Sequence, residues 1–154
     1  MKHAIDIAEQ VPGTYWHAAA ILKLEADAII GAPLEELRFE IGGGAITRRV
    51  DADVGPLRSG PASLRVPLHW QAAEHPTLFP VMDAVLRVSD RDGNQVAVEL
   101  LGEYRSPFGA VGALADAVAG RRVAEKALHG FLADVAHRLE TRLVEHTRRA
   151  GVEP

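Results

Sequence analysis

The chain of 154 residues has no cysteine, so disulfide bonds and thiolate chemistry are both excluded. Aromatic residues make up only 5% of the sequence, which leaves few side chains for stacking nucleic-acid bases. The formal net charge is −4 with histidine neutral, and a mildly acidic chain is a poor partner for nucleic acid. No apolar run approaches the roughly 20 residues that cross a bilayer. We therefore expect a soluble cytoplasmic protein that has no integral membrane contact and binds no nucleic acid.

The length is that of one domain, and a chain of this size buries about 70% of its unfolded surface. We predict one domain over residues 1–150, followed by a frayed tail over residues 151–154. The start of the chain, "MKHAIDIAEQ", carries acidic residues where a secretory signal would be apolar.

The middle of the chain alternates apolar and polar residues with the period of two that is typical of β-strands. Four segments show this pattern: 45–54, 62–72, 81–89 and 95–104. "DRDGN" at 90–94 is a strong hairpin signal between the last two. Pro67 cannot donate to a hydrogen-bond ladder, which predicts an edge strand or a bulge there. The sequence thus predicts an antiparallel meander with one apolar face.

The first third of the chain is less regular. "HAIDIAEQV" at 3–11 is a weak strand candidate, and "LRFEI" at 37–41 predicts a short strand. Between them we predict a helix from about Thr14 to Ile30, with Thr14 as its N-cap and a stop at Gly31 and Pro33. A strand is the alternative for this segment, because Leu22 and Leu24 also alternate with polar residues.

The last third shows apolar residues at spacings of three and four, which is the pattern of an amphipathic helix. The stripe consists of Val118, Ala124, Leu128, Phe131, Val135, Leu139 and Leu143. We predict a helix over Arg121–His146, about 40 Å long at about 1.5 Å per residue. Gly120 is interpreted as either a kink or the helix boundary, since glycine costs about 1 kcal/mol in a helix.

"GEYRSPFGAVGALADAVAG" at 102–120 joins the last strand to this helix. A phosphate-binding loop would need a lysine with serine or threonine after its last glycine, or a parallel strand before it. Neither accompanies Gly109 and Gly112. We therefore interpret the stretch as a strand-to-helix hinge, in which Pro107 ends the strand and Asp116 lies in the first turns of the segment that follows.

The order of these segments resembles the helix-grip superfamily, also called SRPBCC. This superfamily includes START-like lipid-binding domains, the birch-pollen-allergen fold and polyketide cyclase/dehydrase-like proteins. The resemblance covers about Val50 to Leu143 and is greatest to uncharacterised bacterial members, where a last strand ending in tyrosine precedes a Pro-x-Gly-x-x-Gly turn; here these residues are Tyr104, Pro107, Gly109 and Gly112. It implies an α+β fold, in which a curved antiparallel sheet wraps around a long C-terminal helix.

The resemblance also implies a cavity for an apolar ligand between sheet and helix. Five residues are candidates for lining it: Trp70, Tyr104, Leu128, Phe131 and Arg48. Trp70 and Tyr104 are equally interpretable as core residues, and Arg48 as a strand-end cation. The seven histidines form no metal-ligand pattern, so we predict no metal and no cofactor; His129 is considered as an acid or base beside a pocket.

Three functions remain open at this point. The first is a binding protein for an apolar or amphipathic small molecule. The second is a cyclase/dehydrase-like enzyme, which would use Arg48, Tyr104 or His129. The third is a homodimeric interaction protein with a packed core, which an exposed apolar patch around Tyr15 and Trp16 would favour.

Overall fold

The computed structural model describes residues 2–41, 44–72, 81–105 and 113–149, with side chains at 36–50, 72, 113–121 and 123 outside that description. This described part of the chain contains seven strands: β1 (Lys2–Pro12), β2 (Glu36–Ile41), β3 (Gly44–Val54), β4 (Arg58–Ser59), β5 (Ser63–Ala72), β6 (Val81–Asp90) and β7 (Gln95–Arg105). The helical segments are α1 (Tyr15–Ala26), a π-helical turn (Asp27–Gly31), α2 (Ala32–Glu35) and α3 (Ala113–Arg149).

The strands form one antiparallel sheet in the order β1-β7-β6-β5-β3-β2, and the short β4 also pairs with β5. Helix α3 contacts both β1 and β2, which are the two ends of this order. One helix can touch both ends only if the sheet curves around it. The predicted α+β fold, a curved antiparallel sheet around the C-terminal helix, is therefore confirmed.

The face of the sheet toward α3 is the inner face, and it is apolar as the alternation predicts. Its buried side chains on the central strands include Leu64, Val66, Leu68 and Trp70 of β5, Met82, Leu86 and Val88 of β6, and Val96, Val98, Leu100 and Tyr104 of β7. The β6–β7 hairpin forms at "DRDGN", where the Asp90 carboxylate accepts a hydrogen bond from the N–H of Gly93 at 2.9 Å. The φ of +90° at Gly93 explains the glycine in this turn.

Pro67 lies at a bulge, and the edge-strand alternative is wrong because β5 lies between β6 and β3. Val54 pairs with Leu68, and Arg58 pairs with Arg65. The three residues 55–57 therefore lie opposite the two residues 66–67, and the extra residue makes a bulge. The carbonyl of Pro67 accepts from the N–H of Gly55 at 2.8 Å. The proline nitrogen therefore faces the bulge, where the ladder needs no donor.

The N-terminal segment is helical, as preferred, and the strand alternative is wrong. The hydroxyl of Thr14 accepts from the N–H of His17 at 3.4 Å, which confirms the predicted cap. The helix does not stop at Gly31 and Pro33, however, because the chain continues through the π-helical turn into α2. Pro33 lies in α2, which directly follows the π-helical turn, and is buried there.

Helix α3 is longer than the predicted Arg121–His146, because it begins at Ala113 and ends at Arg149. Gly120 lies inside it, so its interpretation as a helix boundary is wrong. The stretch before Gly120 is rich in alanine, the residue with the highest helix propensity. This propensity outweighs the cost of about 1 kcal/mol for one glycine in the helix. Pro107, Gly109 and Gly112 of the predicted hinge lie outside the described residues.

The predicted stripe on α3 is buried from Ala124 to Leu143 and packs with the inner face of the sheet in one hydrophobic core. Helix α1 contacts α3, β6 and β7 and adds Tyr15, Ile21 and Leu22 to that core. Tyr15 is therefore not part of an exposed patch, while its neighbour Trp16 is 71% exposed.

Candidate functional site

A cavity of about 260 Å³ lies between strand β1, strand β7 and helix α3. We call it the β1–α3 cavity. It is lined by residues 4–7 of β1, by Tyr104 of β7, and by Glu125, Leu128 and His129 of α3. It is thus a space between sheet and C-terminal helix, located at one border of the sheet rather than over its centre.

Strand β1 borders this cavity with its main chain as well as with side chains. The N–H of Gly13 donates to the carbonyl of Asn94 at 2.8 Å, in register with the β1–β7 ladder. Hydrogen-bonded pairs recur at every second residue of an antiparallel ladder, so odd-numbered residues of β1 bond to β7. Even-numbered residues, including Ala4 and Asp6, consequently direct their N–H and C=O away from β7. Pro12 fits this pattern, because its position requires no ladder donor.

The side chains of β1 give the cavity its apolar wall. Ile5 is buried and Ile7 is half-buried, and both lie on the inner face. Asp6 and Ala4 are exposed on the outer face. The guanidinium of Arg87 donates a hydrogen bond to the carboxylate of Glu99 on that same outer face. That hydrogen bond raises the pKa of Arg87, and the negative charge of Asp6 is a further cause that raises it. Ala4 and Asp6 therefore contribute main-chain groups to the cavity, while Ile5 and Ile7 contribute apolar side chains.

Helix α3 supplies an apolar residue and two polar ones. Leu128 is buried, Glu125 is half-buried and His129 is exposed. Residues 125 and 129 are four apart and so lie one above the other on the same helix face. A carboxylate and an imidazole on one cavity wall are groups that can accept or donate protons.

Tyr104 closes the inner side of the cavity. Its Cα pairs with His3 on β1 and with Met82 on β6, and its ring lies 5.1 Å from the ring of His3 between centroids. The phenol is buried. Tyr104 thus lies between β1 and β6 in the sheet and lines the same cavity as Leu128 of α3.

No protein-family model and no curated protein matches this chain. Solved structures do match it. A point mutant of norcoclaurine synthase from Thalictrum, in complex with a transition-state analogue, has a TM-score of 0.55 at 12% identity over 96% of this chain and 97% of its own. A conserved protein from Geobacillus kaustophilus has a TM-score of 0.53 at 12% identity, over 92% of this chain and 96% of its own. A hypothetical protein from Helicobacter pylori has a TM-score of 0.51 at 13% identity, over 88% and 87%.

These matches cover nearly the whole chain and have the sheet and terminal helix described above. The protein has the helix-grip fold. The superfamily resemblance predicted from the sequence is thus confirmed at the level of the fold. The match over 96% of the chain also extends into the N-terminal strand and the helical segments that follow it, which lie before Val50, where the sequence resemblance begins.

Within the helix-grip fold, the five predicted site residues have different positions. Tyr104 and Leu128 both line the β1–α3 cavity. Trp70 and Phe131 are only 1% and 3% exposed, belong to the core, and do not line it. Arg48 pairs with Leu37 in the β2–β3 ladder, and its side chain lies outside the description. A ligand role for any of the five stays a prediction.

Two groups of the cavity were missed or given little weight by sequence reasoning. Glu125 lies outside the apolar stripe that the sequence predicts for α3, and the sequence indicates β1 only as a weak strand candidate. The signal for Glu125 was its spacing, since it precedes His129 by one helical turn. The signal for β1 was Pro12, because a proline inside a strand indicates an edge.

The outer face of the helix-grip sheet carries a larger depression of about 460 Å³ at the bulge, lined in part by Pro67, His69 and Asp83. His69 Nδ1 and Asp83 Oδ1 are 2.6 Å apart, with the side chains 39% and 68% exposed. Water has free access to both groups, so this depression lacks the enclosure that small-molecule sites have.

Among residues 2–41, 44–72, 81–105 and 113–149, no three His, Cys, Asp or Glu side chains lie together as a metal site would require. In the same part of the chain, no helix is long and apolar enough to cross a bilayer.

Proposed function

We propose that the protein binds a small apolar or amphipathic molecule in the β1–α3 cavity. The observation that carries this proposal is the combination of an apolar wall, formed by Ile5, Ile7 and Leu128, with polar groups at Tyr104, Glu125 and His129. Small-molecule sites commonly combine an apolar lining with a few polar groups that orient the ligand.

The volume limits the ligand. Sites for drug-sized molecules measure about 300–1,000 Å³, and the β1–α3 cavity measures about 260 Å³. A molecule of one or two rings fits this space, whereas a long acyl chain does not. The norcoclaurine synthase structure, which contains a transition-state analogue, supports the proposal because its fold is similar and accommodates a small molecule.

Native mass spectrometry before and after organic extraction tests the proposal. We expect a bound mass that extraction removes, and we expect the variant Ile7→Trp to lack it because the indole fills the cavity. Glu9→Trp is the matched control, since residue 9 is also half-buried on the inner face of β1 but does not line the cavity. An adduct that survives Ile7→Trp, or one lost equally in both variants, would argue against this site.

A second candidate is a cyclase/dehydrase-like enzyme, favoured by the carboxylate of Glu125 and the imidazole of His129 on one cavity wall. These groups would transfer protons to and from a ligand held against Leu128. The test incubates the extracted ligand with wild-type protein and with Glu125→Gln. A change in ligand mass with the wild type and none with the variant, at equal binding, supports the enzyme. An unchanged ligand mass with both leaves binding as the function.

A further inference from the structure

We propose that the main chain of β1 recognises the ligand of the β1–α3 cavity by hydrogen bonds to a donor and an acceptor of that ligand. These two groups are adjacent in the ligand, as the N–H and C=O of a cyclic amide are. This inference rests on the proposed function and specifies the class of ligand. It follows from the position of β1 at the end of the sheet and from the direction of its main-chain groups.

Strand β1 has main-chain N–H and C=O groups that β7 does not use. Within the described part of the chain, β1 pairs with β7 on one side and with no strand on the other. The N–H and C=O of Ala4 and of Asp6 are directed to that second side, and both residues border the cavity. The cavity therefore contains strand-edge donors and acceptors, which cost free energy if they are buried without a partner.

Those main-chain groups have the geometry of an antiparallel ladder. In an antiparallel ladder, one residue offers its N–H and C=O in the same direction and exchanges two hydrogen bonds with the residue opposite. A planar molecule with adjacent N–H and C=O groups can replace that opposite residue. A molecule with an acceptor alone makes one of the two bonds and leaves a main-chain carbonyl of β1 without a donor.

Apolar side chains surround the main-chain groups that would bind the amide. Ile5 and Ile7 flank the outward-directed groups of Asp6, and Leu128 faces them from α3. These apolar side chains would contact a hydrocarbon ring fused to the amide. The side chains of Ala4 and Asp6 lie on the outer face and take no part in this contact.

Two compounds of nearly the same shape test the inference on the unmodified protein. Quinolin-2(1H)-one has a ring N–H beside its C=O, whereas coumarin has a ring oxygen in place of that N–H. We expect quinolin-2(1H)-one to bind about tenfold more tightly, because one hydrogen bond contributes about 0.5–1.5 kcal/mol and 1.4 kcal/mol is tenfold. Titration followed by protein NMR gives both dissociation constants. Equal affinities overturn the inference.

A pair of proline variants locates the recognition on β1. Ala4→Pro removes an N–H that points away from β7 and borders the cavity. Ala8→Pro removes another N–H that points away from β7, but residue 8 does not line the cavity. Neither N–H serves the β1–β7 ladder, so both variants are expected to unfold cooperatively, as the natural Pro12 indicates. We expect Ala4→Pro to abolish the preference for quinolin-2(1H)-one and Ala8→Pro to retain it.

A preference that survives Ala4→Pro, or is lost in both variants, overturns the main-chain inference. Binding of neither compound at millimolar concentration overturns it as well. If the extracted adduct nevertheless disappears in Ile7→Trp, the proposed function stands and only the ligand class is wrong. The two proposals therefore fail separately.

Discussion

Gly102 of β7 lies so close to β6 that a β-carbon at position 102 would be 2.5 Å from the Cα of Ala84. Gly102 is located between Leu100 and Tyr104, opposite Ile5 of β1, and lines the depression on the outer face of the sheet. A glycine inside a strand often marks a bend or a close approach of backbones. The absence of a side chain at position 102 therefore allows β7 to lie this close to Ala84 of β6.

The substitution Gly102→Ala is expected to lower the free energy of unfolding by about 1–3 kcal/mol, because the new methyl meets main-chain atoms that cannot move aside independently. Urea denaturation followed by circular dichroism measures the change. A loss below about 1 kcal/mol would mean that β7 shifts freely and that the close approach to Ala84 is not required.

The opposite effect is expected for Gly130→Ala on α3. Position 130 is helical and exposed, and a β-carbon there would meet no other atom within 4 Å. Alanine should raise the free energy of unfolding by about 0.5–1 kcal/mol, since glycine loses more conformational freedom in a helix. Thermal denaturation checks the sign. A destabilised Gly130→Ala variant would indicate that residue 130 contacts a part of the molecule outside the described residues.

Phe131→Ala is expected to lower the free energy of unfolding by about 3–5 kcal/mol, because it removes a buried ring and leaves a cavity. Leu24→Ala is the control, since Leu24 is 79% exposed on α1 and should change stability by less than about 0.5 kcal/mol. Chemical denaturation compares the two. A cost below about 1 kcal/mol for Phe131→Ala would indicate that the ring lines an open space, as the sequence-based ligand role requires.

Tyr15 predicts a dependence of stability on alkaline pH. Its hydroxyl donates to the carbonyl of Gly60 at 2.9 Å, and burial raises the pKa of that hydroxyl above its ordinary value. Tyr15→Phe should therefore cost about 1 kcal/mol at neutral pH. The unfolded chain ionises first, near pH 10, so the advantage of the wild type is complete below that pH and declines as pH rises through the folded-state pKa. Denaturation at pH 7 to 11 measures this difference, and a constant difference across that range would contradict the assignment.

The sequence by itself determined which face of each central strand is buried. Side chains alternate with a period of two, so Leu64, Val66, Leu68 and Trp70 share a face whatever their neighbours are. The same local logic gives the stripe of α3 and the hairpin at Gly93, since helix periodicity and turn conformation depend on residues near in sequence. These patterns predicted an antiparallel sheet with one apolar face and a long amphipathic helix, and their order resembles the helix-grip superfamily.

Only the tertiary structure decided what those buried residues do. Trp70 and Tyr104 show the same pattern in the sequence, but one belongs to the packed core and the other also borders a cavity, because that cavity depends on where α3 lies against β1. The outward direction of the N–H groups of Ala4 and Asp6 depends on the pairing of β1 with β7, whose residues are about a hundred positions away in sequence. Strand order and register result from contacts between distant segments, and local periodicity contains no information on which segments meet.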